Sequence, residues 1–477
     1  MKKLMSIAAI AALVFSTASC ADFLEQFQNV IDDQEQNQNQ NENKDDNENK
    51  DDKEKEKDPA KVTVQLVSEG ANFTVAGINI ALSDADATFS VEAETGENGA
   101  AEFSLKEGTY IASATYTTSE NGTRIAYSGA NNAITVKAED TEVAAAIDLQ
   151  KVVSQQIVIK EVYSTGCPKD PSGSYSDDAY IIVYNNSELE ADATNLVFGM
   201  LFPYNGHASN KYLTTEGTLL YENEGWIPAA SALWSFTSEV KIPAYSQIVI
   251  ALYGAIDHTA TQPASVNLSD ASYYWMSKND QFKAAKYNVS EAIPESNYLS
   301  CIPFNTGTAW LFSNTAPSLF IANMPKAEAE ALASNTEGYD TTQGTGGAQV
   351  AVKFPVDKVI GCVEVFASDK LETSNGRFPA TLNTGYVAIT SKLGHTVYRN
   401  VDKEATEALP ENKDKLVYSY NGGTYDEATG TGSTDPSGIN AEASIANGAH
   451  IIYVQTNNSG NDFHERKVSS IKKDLPE

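Results

Sequence analysis

Basic residues are scarce in this chain, cysteine and histidine scarcer still, and helical periodicity is almost wholly missing. Against 64 Asp and Glu stand 33 Lys and Arg, so the 477-residue chain carries a formal charge of −31. So acidic a surface excludes a nucleic-acid partner, which needs a basic footprint. It equally disfavours adhesion to anionic lipid by charge alone. The four cysteines, Cys20, Cys167, Cys301 and Cys362, include no CxxC pair, so no zinc or redox motif is expected. Beyond Cys20 their number is odd, which leaves at least one unpaired within a monomer. The histidines (His207, His258, His395, His450 and His464) are scattered, with no HExxH or His-x-His spacing. GxSxG, a Walker loop and a strand-borne GxGxxG are absent. Carboxylates are so abundant that no pair stands out for glycoside hydrolysis. No catalytic residue, metal site or cofactor is expected.

A long apolar run occurs once, at the N-terminus. Residues 1–19 place Lys2 and Lys3 before an apolar stretch and end in small residues, the layout of a secretory signal peptide. The run is too short for a spanning helix, which needs about 20 apolar residues. Thr17-Ala18-Ser19 before Cys20 resembles the lipobox of bacterial lipoproteins, although Thr17 stands where leucine is usual. The resemblance implies that Cys20 is acylated and becomes the new N-terminus, anchoring the chain to a membrane through lipid. Residues 20–58 then form a lipidated N-terminus and acidic linker. From Ile31 to Asp58 the composition collapses to Asp, Glu, Asn, Gln and Lys, apart from Ile31 itself, with a net charge of −7. Such a stretch cannot bury enough apolar surface to offset its ordering entropy, and disorder is expected. As a flexible coil it spans roughly 30 Å, a tether that holds the folded part off the membrane.

The first folded domain is placed at residues 60–150. VTVQLVSEG, FTVAGINIALS, ATFSVEAET, AAEFSLKEGTYIASATYTT, NAITVKAED and VAAAIDLQ are short alternating runs separated by Gly, Asn and Asp, the pattern of an antiparallel sandwich. Thr95-Gly96-Glu97-Asn98-Gly99 with Lys106-Glu107-Gly108-Thr109-Tyr110 resembles the carboxypeptidase-regulatory or transthyretin-like modules. That resemblance implies a small spacer without an active site. Asp84 and Asp86 suggest either a cation site or a solvated hairpin turn, and the turn is favoured.

The second domain, 155–477, opens with IVIKEVY and AYIIVYNNS, joined by a turn-rich loop containing Asp170-Pro171-Ser172-Gly173. There proline presets φ and glycine accepts positive φ; the same tetrapeptide returns at 435–438. NLVFGML, SQIVIALYG, AWLFS, SLFIAN, GCVEVFA and GAHIIYVQT suggest further strands, and Met324–Ser334 the sole helix. The opening pair resembles the start of lamin-tail-type immunoglobulin-like sandwiches, with Ile181-Ile182-Val183-Tyr184-Asn185 lacking the usual glutamate. Ala255-Ile256-Asp257-His258-Thr259, Asn267-Leu268-Ser269 and the stretch 456–463 resemble a bacterial lipoprotein family, domain-of-unknown-function family 4876. That family implies an outer-membrane lipoprotein of the Bacteroides type and no assigned activity. The expected fold is all-β, with two or more β-sandwich domains, the second carrying long loops, after a disordered acidic tether.

Three spots invite a binding role. Asp257-His258 follows a strand-like run as a loop ligand would, though a pair of side chains fixing the loop is favoured. Asp177-Asp178 beside Asp170 offer oxygen ligands for calcium without the fixed alternation of an EF-hand. Asn457-Asn458-Ser459 with Asp462 reads best as an Asx-type turn. Tyrosine, with 23 residues, often falls among Gly, Asn and Ser, as at Tyr204, Tyr273-Tyr274 and Tyr418-Ser419-Tyr420, a palette of adaptable binding loops. The expected function is a non-enzymatic binding or accessory lipoprotein of the cell envelope, working beside an outer-membrane uptake transporter. An envelope hydrolase with a dispersed carboxylate site is the alternative.

Overall fold

The computed structural model describes residues 58–472 except 85–88, 121–122, 277–278, 285–286, 288–289 and 311. The leader, Cys20, the acidic segment up to residue 57 and Asp86 lie outside the described residues. The chain is nearly all β and divides into two compact units, the first comprising the described residues up to Thr118 with Ile125–Ser154, the second Ser119–Arg124 with the described residues from Gln155 on.

In the first unit, period-2 alternation decides which face is buried. Val62, Val64 and Leu66 of the strand Ala60–Ser68 point inward, and their neighbours do not. That strand pairs antiparallel with Ala100–Leu105 and parallel with Glu142–Asp148. A second sheet runs Ser90–Glu94, Asn79–Asp84, Gly108–Glu120, Thr123–Val136 and Gln150–Gln155. Ile80, Leu82, Ala112, Ile134 and Val136 from this sheet pack with Val62, Val64, Phe103 and Ile147 from the first, so the unit is a sandwich. The two glycine-bearing motifs are its corners. Gly99 has φ +73, and a Cβ there would collide with the Phe73 carbonyl, so the turn requires glycine. Tyr110 folds back so that its hydroxyl donates to the Lys106 carbonyl at 2.9 Å. Asp84 ends its strand by accepting the Phe89 N–H at 3.0 Å, as a turn residue does.

The second unit is built on a twelve-stranded sheet. In spatial order its strands are Val387–Ile389, Val359–Ala367, Ser318–Asn323, Leu196–Gly199, Ala232–Ser235, Tyr298–Pro303, Tyr274–Met276, Gln247–Ala251, Tyr180–Asn185, Ile157–Tyr163, Thr396–Arg399 and Phe463–Arg466. The sheet curls until its ends meet: the Thr390 N–H, just past one end strand, donates at 2.6 Å to Glu465 in the other. Apolar side chains such as Ile159, Val183, Phe198, Trp234, Phe320 and Val363 fill the interior.

All residues of Ile157–Tyr163 are buried, Lys160 and Glu161 included. Both faces of the strand are covered: Ile157, Ile159 and Val162 pack into the interior, and Val158 and Tyr163 into clusters on the other side. A β-bulge also breaks the alternation here, because the register to Tyr180–Asn185 shifts between Ile159 and Glu161. Both Asp-Pro-Ser-Gly turns place their glycine at positive φ, +95 at Gly173 and +69 at Gly438. The expected helix exists as Lys326–Ser334, but it has short companions at Lys403–Glu407, Ala441–Ala446 and Ser459–Asp462. The described residues of AWLFS form no strand, and GAHIIYVQT has a single bridge, between Val401 and Tyr453. No helix among the described residues is long and apolar enough to cross a membrane.

Candidate functional site

The two acidic spots read from the sequence lie on different loops, and folding brings them together. Asp178 is completely buried, and its Oδ2 accepts from the Ser265 hydroxyl at 2.5 Å and the Tyr163 hydroxyl at 3.1 Å. The Cys167 thiol is 3.6 Å from the same oxygen. Oδ1 has no hydrogen-bond partner among the described residues. Burial raises the Asp178 carboxyl above its ordinary pKa, an effect that Ser265 and Tyr163 only partly offset. Burial, then the Asp178 charge, pushes the Cys167 thiol up to about 11.

His258 sits on the neighbouring loop, 1% exposed. Its Nε2 faces the Gly254 carbonyl at 2.8 Å, so that nitrogen carries the proton. Nδ1 then accepts from the Tyr175 hydroxyl at 2.7 Å. Asp257 is exposed and caps a one-turn helix by accepting the Thr259 N–H at 3.0 Å. Asp177 is half-buried beside Asp178. Loops 167–178 and 257–267 are thus pinned to each other by interior hydrogen bonds. Asn458 likewise caps Ser459–Asp462, accepting the Gly460 N–H at 2.9 Å. Among the described residues no three His, Cys, Asp or Glu are grouped to hold a metal.

Tyr204, Tyr273, Tyr274 and Tyr420 are half-buried, while other tyrosines belong to the core. Tyr163, Tyr180, Tyr184, Tyr212, Tyr221, Tyr287, Tyr398 and Tyr453 are fully buried, whereas Tyr418 is 57% exposed. Several spend their hydroxyls on interior acceptors, as Tyr184 does on the Ile451 carbonyl at 2.7 Å and Tyr221 on that of Arg377 at 2.6 Å. The sequence neighbours Gly, Asn and Ser gave no hint of this, because a buried phenol needs a distant acceptor that sequence proximity does not show.

A solvent-open cleft of about 590 Å³ lies elsewhere in the second unit. One wall is Cys301 and Pro303 at the end of strand Tyr298–Pro303; the others are the loops bearing Asn279, Asp280, Gln281, Asn305 and Thr306. Asn279 Oδ1 accepts the N–H groups of Gln281 and Phe282, each at 2.9 Å. Those two hydrogen bonds fix the amide and leave its buried Nδ2 for the Cys301 thiol. Phe282, fully buried, packs on Trp234 behind the loop at 5.8 Å. Gln281 Nε2 donates to the Asn305 carbonyl at 2.7 Å, and Asn305 Oδ1 accepts from the Gly307 N–H at 2.9 Å. Burial holds the Cys301 thiol up at about 12, with the Asn279 side chain acting in the opposite direction. The wall is therefore rich in amides, with Asp280 its lone carboxylate among the described lining residues. Sequence reasoning did not reach these residues: Asn279-Asp280-Gln281 carry no motif, and their neighbours come from a separate loop and strand.

Residues 245–421 match a family described as "Protein of unknown function (DUF4876)". No curated protein matches the sequence. Among solved structures, the chain is similar to a DUF4876 family protein from Bacteroides thetaiotaomicron at 18% identity and a TM-score of 0.57, over 85% of this chain and 95% of that one. The full-length major pilin SpaD of Corynebacterium diphtheriae aligns over 62% of this chain and 91% of its own at 13% identity, but its TM-score of 0.18 carries no structural likeness. The chain therefore shares its fold with a solved protein of the DUF4876 family, and its own residues 245–421 match that family.

Proposed function

We propose that the chain is a lipoprotein of the outer membrane, anchored through Cys20, that binds a ligand at the cell envelope without transforming it and works beside an uptake transporter. The observation that carries the binding role is the open cleft with its amide-rich wall of Asn279, Gln281 and Asn305. Its volume lies in the range of about 300–1,000 Å³ usual for small-molecule sites. Two-carboxylate hydrolysis needs a pair of acids across the scissile bond, and the cleft wall offers Asp280. The acidic tether gives the folded units reach from the membrane, and the first sandwich acts as a spacer of the carboxypeptidase-regulatory or transthyretin-like kind.

The test is affinity purification of the tagged full chain from gently solubilised outer membrane, with identification of what accompanies it. A stoichiometric transporter, or a small molecule retained by the wild type and lost in Asn279→Asp, supports the reading. Asn279→Asp keeps an oxygen for the loop N–H groups, exchanges the donor for a second acceptor and adds a negative charge to the cleft wall. A chain that emerges alone, and binds nothing released from the envelope, overturns it.

A further inference from the structure

The bulge in the strand Ile157–Tyr163 re-aims Lys160, and the side chain ends in an unusual place. Lys160 is 0% exposed. Its Nζ is enclosed by the rings of Tyr184, Tyr398 and Tyr453, with centroids at 5.9, 5.5 and 5.7 Å. Within this cage it meets two groups from distant parts of the chain. The side-chain amide of Gln247 presents Oε1 at 2.6 Å, and the carboxylate of Glu442 presents Oε1 at 2.8 Å. Tyr398 donates to that same carboxylate oxygen at 2.6 Å.

The ammonium gives one N–H to the carboxylate and another to the amide oxygen, and the bulge brings the amine within reach of both. A primary amine, a carboxamide and a carboxylate in one largely dry pocket are the reactants and the proton carrier of an aminolysis. Proximity of this kind replaces the entropy cost of bringing such groups together. We propose that Lys160 and Gln247 join in an intramolecular isopeptide bond, with Glu442 carrying the proton.

The step balances without any co-reactant. Glu442 takes a proton from the Lys160 ammonium, and the freed lone pair attacks Cδ of Gln247. The Nζ–Cδ bond forms, the bond from Cδ to Nε2 breaks, and Glu442 returns its proton to the departing amide nitrogen. Ammonia leaves, picking up the second ammonium proton, and Glu442 is restored. Burial acts to raise the Glu442 pKa, yet Lys160 and Arg466 hold it below its ordinary value, so the carboxylate is ionised in the resting arrangement. A reaction that happens once per molecule needs its neutral form only transiently. Gln247 is half-buried, which leaves the ammonia a way out.

The bond would tie Ile157–Tyr163 to Gln247–Ala251 across the strand Tyr180–Asn185 that separates them. No hydrogen bond of the sheet can link strands two apart. For a chain held at a membrane by its N-terminus, such a staple locks the opening of the second unit against being pulled apart.

The experiment is peptide mapping of the full chain, purified folded and then unfolded and digested. The expected result is a single branched peptide joining Lys160 to Gln247, lighter than the sum of its parts by one ammonia. Gln247→Ala and Glu442→Gln should each yield separate, unmodified peptides. Separate Lys160 and Gln247 peptides from the wild type would overturn the bond and leave a caged ion pair. A linked peptide that persists in Glu442→Gln would overturn the role given to that carboxylate. The wild-type map decides the main question even if a variant fails to fold.

Discussion

The Tyr175 hydroxyl donates to Nδ1 of His258 at 2.7 Å, and this hydrogen bond joins two loops that the sequence separates by 83 residues. His258 was attractive as a loop ligand because histidine both titrates and coordinates. In the fold both ring nitrogens are used, one on Tyr175 and one on the Gly254 carbonyl.

Tyr175→Phe should therefore destabilise the second unit by about 1–3 kcal/mol, since it strands a buried acceptor. His258→Ala in the Tyr175→Phe background should cost less than it does alone, and the coupling is read from a double-mutant cycle in urea. Additive effects of exposed-surface size, within about 0.5 kcal/mol, would show that the contact does not hold the loops.

A second prediction concerns Arg377 and Glu364, whose side chains are 0% and 1% exposed. Arg377 Nε meets Glu364 Oε1 at 2.9 Å, and Nη1 donates to the Pro203 carbonyl at 2.9 Å. Burial raises the Glu364 carboxyl, and the guanidinium is what offsets it. Arg377→Met leaves that charge alone in the core and should cost about 3–5 kcal/mol in urea unfolding. Adding Glu364→Leu should restore much of the loss. A double variant as unstable as the single one would contradict this account.

The parts of the fold that alternation can express were legible. Val62, Val64 and Leu66 announce their strand, and Gly99 and Tyr110 mark corners that the fold uses. Alternation failed at Lys160-Glu161, where a bulge shifts the register and both faces of the strand are covered, something periodicity does not report. The short strands Ala232–Ser235 and Thr396–Arg399 were not read, although Leu196–Gly199, of the same length, was visible within NLVFGML. The cleft was illegible for another reason. Its chemistry lies in one amide whose orientation is set by two backbone N–H groups, and sequence shows neither.

His464 supplies a pH prediction. Nδ1 lies 2.7 Å from Asn400 Oδ1, whose own amide nitrogen is spent on the Asn461 carbonyl, so Nδ1 is the protonated nitrogen. Nε2 accepts from the Tyr420 hydroxyl. Burial, then Arg466, pulls the imidazole from 6.5 down to about 3. Between those values the unfolded chain binds a proton that the folded chain does not. Stability is therefore lost as pH falls through that window, by at most about 1.4 kcal/mol per pH unit from this group. Buried carboxyls such as Glu364 and Asp178, raised by burial, contribute with the opposite sign. The informative quantity is the difference between the pH profiles of the wild type and His464→Gln. That difference should slope between pH 6 and 4; parallel profiles would mean that His464 is protonated in the fold.

The cysteines give the last prediction. Cys167, Cys301 and Cys362 are all free thiols. Burial, with the Asp178 charge next, holds Cys167 at about 11, and burial holds Cys301 at about 12. Cys362 is pushed further up, by burial first and then by Glu364. The thiolate is the nucleophile, so at pH 8 roughly a thousandth or less of either Cys167 or Cys301 is in the reactive form. Iodoacetamide at pH 8 should therefore leave all three unlabelled in the folded chain and label all three in urea. Cys301 is the most informative of them, because it lines the open cleft and access alone does not protect it. Rapid labelling of Cys301 in the folded chain would mean that its thiol is activated, and the cleft would then be a candidate for nucleophilic chemistry rather than for binding alone.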